Sequence, residues 1–249
     1  MHDDLGDRMK TSYENRTRYL LPRRGYTIIR IDGKCFHSYT KGLKQPFDDG
    51  LIEDIDNTAK YLCKNIMGAQ FAFVQSDEIS ILLTDFEFIG TDAWFDNNIQ
   101  KMVSVSASMA TSRFNRARYE RYQTVFFHGL PNKDAEFDSR VFQIPSHIEV
   151  ENYFIWRQQD TVRNSISAVA QSLYSHKQLD GKNMSEQQEM IFQKGQNWND
   201  YDDTKKRGRI VLKETYLKDE ATRTLWIAKA PPTFTENREF LKNLIPIME

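Results

Sequence analysis

The sequence predicts an α+β fold: a ferredoxin-like palm, in which a β-α-β-β-α-β antiparallel sheet carries helices on one face, with a smaller C-terminal α/β region. Three observations predict it. Residues 26–33, YTIIRIDG, form an apolar, β-branched run that ends in an acid and a glycine. Residues 69–84, AQFAFVQSDEISILLT, are two more such runs meeting at Ser76-Asp77-Glu78, the pattern of a hairpin. Two long segments, 47–67 and 93–120, repeat apolar residues at spacings of three and four, as amphipathic helices do.

Taken in order, the polar first 25 residues read as a short helix ended by Pro22, leading into strand one. Residues 34–46 lack a period and read as loop. The helix at 47–67 shows Leu51, Ile55, Ala59, Leu62, Cys63 and Ile66 on one stripe, and the hairpin follows. The helix at 93–120 has Ile99, Met102, Val103, Ala107 and Ala110 as its apolar stripe, and a strand at 122–127 completes the palm. Beyond it come a short strand at 140–144, a helix capped by Ser146 and running to about 176, and a helix near 185–194. A basic turn at 205–209 then feeds a strand at 210–212, with a further strand at 224–228 and a last helix at 236–244. The expected division is a palm over 1–135 and a C-terminal region over 136–249 that completes the fold.

At 249 residues and 39% apolar content the chain can bury a real core without staples. Lys+Arg 34 against Asp+Glu 35 leaves a net charge of −1, so an acidic partner must be held by local basic clusters rather than by the overall field. Two cysteines, no secretory leader pattern and no long apolar run predict a reduced, soluble, cytoplasmic protein that does not enter membranes. Five scattered histidines without HxH or HExxH spacing exclude a structural zinc site.

The chemistry gathers where strands one and three meet. Right-handed crossovers place them side by side, so Asp32 and the Asp77-Glu78 pair converge at one edge of the sheet. Taken singly, each acid reads better as a turn in water. Together, three carboxylates among buried strands repel one another unless a cation neutralises them, which suits hard divalent ions and two-metal phosphoryl transfer.

RIDGKCFHSY at 30–39, QSDEIS at 75–80, FDSRVFQIPS at 137–146 and NYFIWRQQD at 152–160 together resemble the ordered motifs of the tRNA(His) guanylyltransferase family, whose members add nucleotides to tRNA 5′ ends. The resemblance implies that Asp32, the Gly33 carbonyl and Asp77 bind two Mg²⁺ ions, with Glu78 completing a catalytic acidic cluster. It implies further that Asp32, Gly33, Lys34, Cys35, Phe36, His37, Ser76, Asp77 and Lys101 hold a nucleotide, with ATP and GTP as substrates. tRNA or triphosphate contacts are expected from Arg113, Arg116, Arg157, Asn164, Lys205, Lys206 and Arg207, and family members are commonly homotetramers.

Two departures refine this. Where eukaryotic members carry His-Ile-Asn-Asn-Leu-Tyr-Asn after the Trp-Arg-Gln motif, residues 162–168 are VRNSISA, and only Asn164 persists. Asn98 replaces an arginine three residues before Lys101. Both favour the guanylyltransferase-like branch, which extends truncated tRNA 5′ ends by copying the opposite strand, over a dedicated maker of the extra 5′ guanosine. Two readings from other classes compete: a palm-type nucleotidyl or diguanylate cyclase, and a non-catalytic RNA-binding module with Phe71 and Phe73 exposed on the sheet for base stacking.

Overall fold

A computed structural model describes residues 4–124, 133–218 and 221–248 of the chain. In chain order the helices and strands are α1 (Asp4–Ser12), β1 (Tyr26–Gly33), α2 (Phe36–Tyr39), α3 (Asp49–Asn65), β2 (Ala69–Gln75), β3 (Glu78–Leu83), α4 (Ile99–Thr124) and β4 (Phe137–Ile144). They continue with α5 (His147–Leu173), α6 (His176–Leu179), α7 (Met184–Gln193), α8 (Asp203–Lys206), β5 (Arg209–Lys218), β6 (Ala221–Lys229) and α9 (Arg238–Leu244). Short 3₁₀ turns at Glu14–Thr17, Trp94–Asn97 and Trp198–Asp200 link them.

The six strands form one sheet in the order β4-β1-β3-β2-β5-β6, each neighbouring pair antiparallel. Its first four strands with α3 and α4 are the expected β-α-β-β-α-β unit, with β1 and β3 adjacent. The division expected after residue 135 falls just before β4, whose whole length pairs with β1 from Tyr26↔Ile144 to Gly33↔Phe137. Residues on either side of it therefore share the sheet.

One expectation is corrected. Residues 122–124 are the last turn of α4 rather than the start of a strand, and 125–127 lie outside the described residues. The helix persists because its end is tied to α3: Arg118 and Arg121 reach the buried Asp54 carboxylate at 3.1 and 2.9 Å. The fourth palm strand is instead β4, whose alternating buried and exposed residues begin at Phe137.

As expected, the palm helices α3 and α4 cover one face of the sheet, while the C-terminal region covers the other. Ile29, Ile31, Ala72, Val74, Ile79 and Ile81 pack on Ile55 and Leu62 of α3 and on Met102 and Phe114 of α4. The opposite face, Ile28, Phe71, Phe73 and Leu82, is sealed by Val150 and Phe154 of α5 and by Phe234 and Leu241 of the tail. Phe71 and Phe73 are wholly buried against Phe154 and Phe234, which removes the base-stacking platform that a non-catalytic RNA module needs. Among the described residues, no helix is long and apolar enough to cross a membrane.

Candidate active site

The site is assembled at the ends of β1 and β3. Ile31 sits opposite Ile79, so the next residues outward, Asp32 and Glu78, share a face where the two strands finish. Gly33 comes next and has no room for a side chain. A Cβ there would lie 2.5 Å from Phe36 Cε2, closer still to Cδ2, and 2.7 Å from Asp77 Oδ2. The Asp77 carboxylate thus rests against the backbone of Gly33, one residue along from Asp32, as the sequence predicts.

The hairpin tip is made by Ser76 in a left-handed conformation (φ 45°), an uncommon backbone for a residue with a Cβ. After Gly33, the Lys34 amide donates to Glu136 O at 2.8 Å and its ammonium meets the Glu136 carboxylate at 2.5 Å, stapling the turn to the approach of β4. Cys35, also left-handed (φ 54°), turns the chain into α2. Phe36 then plugs the core against Tyr39, Phe114 and Phe137, while His37 stays exposed.

The two aspartates carry poorly compensated charge. Burial pushes the Asp77 carboxyl up to about 6; hydrogen bonds from Ser76 and from its own amide oppose the rise, and Asp32 and Glu78 add to it. Asp32 is likewise raised, first by burial and then by Glu78, against the pull of Arg30 and Arg140. Carboxyls raised in this way are relieved by a nearby cation.

Glu78 differs. The buried Arg157 grips it through Nε at 2.8 Å and Nη2 at 2.7 Å, Arg30 Nη2 approaches at 2.7 Å, and the Ser80 hydroxyl donates at 3.3 Å. Its charge is spent on holding the hairpin to α5. Among the described residues, no three His, Cys, Asp or Glu side chains stand together as a ready metal cage. The donors at hand for magnesium are the Asp32 and Asp77 carboxylates and the Gly33 carbonyl. All are hard oxygens, and the raised carboxyls fit that ion.

A pocket of about 200 Å³ opens at Gln75 and Ser76, on the side of the tip away from β4. Leu43, Pro46, Phe47 and Leu51 form its apolar wall; Asp48, Thr161, Asn164, Lys205 and Arg209 form the polar one. Asp48 also caps α3, accepting from Leu51 N at 2.7 Å, and Lys205 pairs with Asp49 at 2.6 Å. Sequence reading misses Phe47, Asp48 and Thr161 and counts Arg209 only as part of a basic turn. An acid three residues before the first apolar helical position marks Asp48 as a cap, but nothing in the sequence reveals that the cap faces a cavity.

The other expected contacts scatter. Lys101 lies in the first turn of α4, over the Phe95 ring at 5.9 Å. Thr111, whose hydroxyl accepts from Phe137 N opposite Gly33, follows ten residues later, about 15 Å along the helix at 1.5 Å per residue. One chain therefore leaves Lys101 apart from the acids. Arg113 stacks on Tyr61, Arg116 pairs with Glu120, Lys206 donates to Asn199 O, and Arg207 pairs with Asp203. Arg157 is the clamp on Glu78, while Asn164 and Lys205 reach the pocket.

Comparison with known proteins gives the family and the fold. A family model described as tRNAHis guanylyltransferase matches residues 6–145. The solved structure of a bacterial tRNA(His) guanylyltransferase-like protein in complex with ATP aligns with a TM-score of 0.87 and 45% identity, covering 98% of this chain and 99% of that one. A second such structure, in complex with GTP, aligns with a TM-score of 0.80 and 43% identity over 97% of this chain and 99% of the other. Among curated proteins, the tRNA(His) guanylyltransferase of Debaryomyces hansenii is 27% identical over 80% of this chain and 77% of its own length.

Proposed function

The chain belongs to the tRNAHis guanylyltransferase family, a family of nucleotidyltransferases, and from that premise we propose that it adds nucleotides in the 3′–5′ direction to the 5′ ends of tRNAs, guided by the opposite strand. Guanylate addition to tRNA(His) falls within this range. The observation that carries the reading is the Asp77 carboxylate seated against Gly33 beside Asp32, with a pocket of about 200 Å³ opening at the neighbouring Ser76. Relatives aligned over almost their whole length, one in complex with ATP and another with GTP, support nucleoside triphosphates as substrates.

A tRNA 5′-monophosphate is a poor electrophile, so the reaction runs in two transfers. First, a 5′-phosphate oxygen attacks the α-phosphorus of ATP or GTP, and pyrophosphate leaves. The 3′-hydroxyl of an incoming nucleoside triphosphate then attacks the activated 5′-phosphorus, forming the new phosphodiester and releasing the nucleoside monophosphate. In this scheme Leu43, Pro46, Phe47 and Leu51 enclose the base, and Ser76 and the 33–37 turn line the triphosphate. Asp32, Asp77 and the Gly33 carbonyl would hold two Mg²⁺ ions. Such ions, when bound, acidify the attacking hydroxyl and neutralise the triphosphate. Glu78 and Arg157 keep the hairpin tip in place.

Template copying rests on the departure at residues 162–168 from the eukaryotic run. The curated relatives named tRNA(His) guanylyltransferase favour a second reading, a single guanylate added to tRNA(His) alone. One experiment separates the two: incubate the protein, Mg²⁺ and all four triphosphates with a tRNA of non-histidine type lacking its first nucleotide. Addition of the base complementary to the 3′-side partner, changing when that partner is mutated, is the expected result. Addition that ignores the partner, or that occurs on tRNA(His) only, overturns template copying. Cyclic or dinucleotide product formed without RNA would point to the cyclase chemistry instead.

A further inference from the structure

We propose that Trp156 and Arg140 form the seat for the 5′-terminal nucleotide of the RNA, across Asp32 and Asp77 from the nucleotide pocket. The inference rests on the function just proposed. Helix α5 crosses the sheet so that its two flanks look onto different substrates. Thr161 and Asn164 line the pocket on the β2–β5 side. Tyr153 instead leans toward β4, its ring 5.8 Å from that of Phe142 and its hydroxyl 2.9 Å from Ser80. Trp156 stands beside Tyr153 at 5.9 Å between centroids, yet is 45% exposed.

This ring is held rather than loose. The Arg157 guanidinium stands 4.3 Å from its centroid and is itself fixed by Glu78 and Asp160. Arg140 lies on β4 opposite Arg30, two residues along the register from the Asp32–Asp138 pair and on the same face, with its side chain 57% exposed. Its nitrogens sit 3.8 Å from Asp32 and 3.8 Å from Asp138, longer than hydrogen bonds, so a closer anionic oxygen could recruit it.

In the first transfer, in-line displacement puts the attacking RNA phosphate oxygen and the leaving pyrophosphate on opposite sides of the α-phosphorus. With a triphosphate entering from Ser76, the RNA end arrives from the β4 side, where a positioned π-face meets a base and a guanidinium meets a phosphate. Aromatic stacking tolerates any base, as a seat for varied 5′ ends must. The adjoining cation favours RNA over a second copy of the chain as the occupant.

The test measures binding of a 5′-phosphorylated acceptor-stem duplex without chemistry. Trp156→Ala should weaken it roughly 5- to 150-fold, the range for loss of one stacked base. Trp156→Phe should restore most of the affinity, and GTP affinity should stay at the wild-type level in both. Arg140→Gln, a surface change that leaves folding intact, should lower the slope of log affinity against log salt by about one. Unchanged duplex affinity in Trp156→Ala together with an unchanged salt slope in Arg140→Gln overturns the seat. A shifted oligomeric state with intact duplex affinity would also overturn it, assigning the ring to a contact between copies. If Trp156→Ala loses duplex affinity while the wild type extends no RNA, the seat stands and the proposed function falls.

Discussion

Replacing Gly33 by alanine perturbs the point where the site and the core meet. The added methyl would lie 2.7 Å from Asp77 Oδ2 and at 2.5 Å or less from two Phe36 ring carbons, where ordinary contacts start near 3.4 Å. Something must move by about 1 Å, and neither neighbour moves cheaply. Phe36 is wedged against Tyr39, Phe114 and Phe137 at centroid distances of 5.0, 5.7 and 5.2 Å. Overpacking of this kind costs about 1–3 kcal/mol, which for a chain of this size lowers Tm by roughly 2–12 °C. If Asp77 yields instead, a 1 Å misplacement of a reacting group costs on the order of 100-fold in rate. Thermal unfolding and single-turnover nucleotide addition, measured on the same preparation, read both outcomes. A Gly33→Ala protein with wild-type Tm and wild-type rate would refute the placement of Asp77 against β1.

Asp77→Asn should abolish addition while the protein stays folded, as judged by circular dichroism. The same variant tests the charge. A carboxyl raised from 3.8 to about 6 stabilises the folded state below pH 4 and loses that contribution as pH rises through 6. Without Mg²⁺, Asp77→Asn should therefore gain up to about 3 kcal/mol over wild type at pH 8, with the gap closing toward pH 4, in urea titrations. Glu78→Gln leaves the buried Arg157 with Asp160, which it shares with Arg163, and removes a two-point grip, so it should cost about 1–3 kcal/mol of stability in denaturant titrations; an unaltered midpoint would refute the clamp. Asp54→Ala strips Arg118 and Arg121 of their shared partner and should cost about 3–5 kcal/mol, with the loss read at the α3–α4 contact by hydrogen exchange.

Much of the palm is legible in the residues because each piece is local. The β-branched runs, the Ser76 turn and the stripe on α3 are periodicities of two and of three to four, and topology alone then brings Asp32 to Asp77. What escapes is long-range. Residues 122–127 read as a strand, but 122–124 belong to a helix whose end is held by an aspartate more than sixty residues earlier. Glu78 reads as the acid that completes a cluster, and nothing near it in the sequence reveals that Arg157, 79 positions on, grips it. Lys101 keeps its motif spacing but falls at the wrong end of its helix, since a motif fixes sequence order and not direction relative to the acids. The pocket joins the loop before α3, the hairpin tip, α5 and the start of β5, a convergence no single stretch announces.

The double covering of the sheet bears on how the chain can be divided. Residues 6–145, the segment that matches the family, contain every strand of the palm yet not the helix that seals its second side. Cut after β4, that segment would present Ile28, Phe71, Phe73 and Leu82 to water and leave Glu78 with Arg30 alone. During synthesis, too, the acids reach their final setting only once the Tyr153–Asp160 stretch has emerged, so the reactive end of this molecule is completed by a part of the chain that comes well after Asp32 and Asp77.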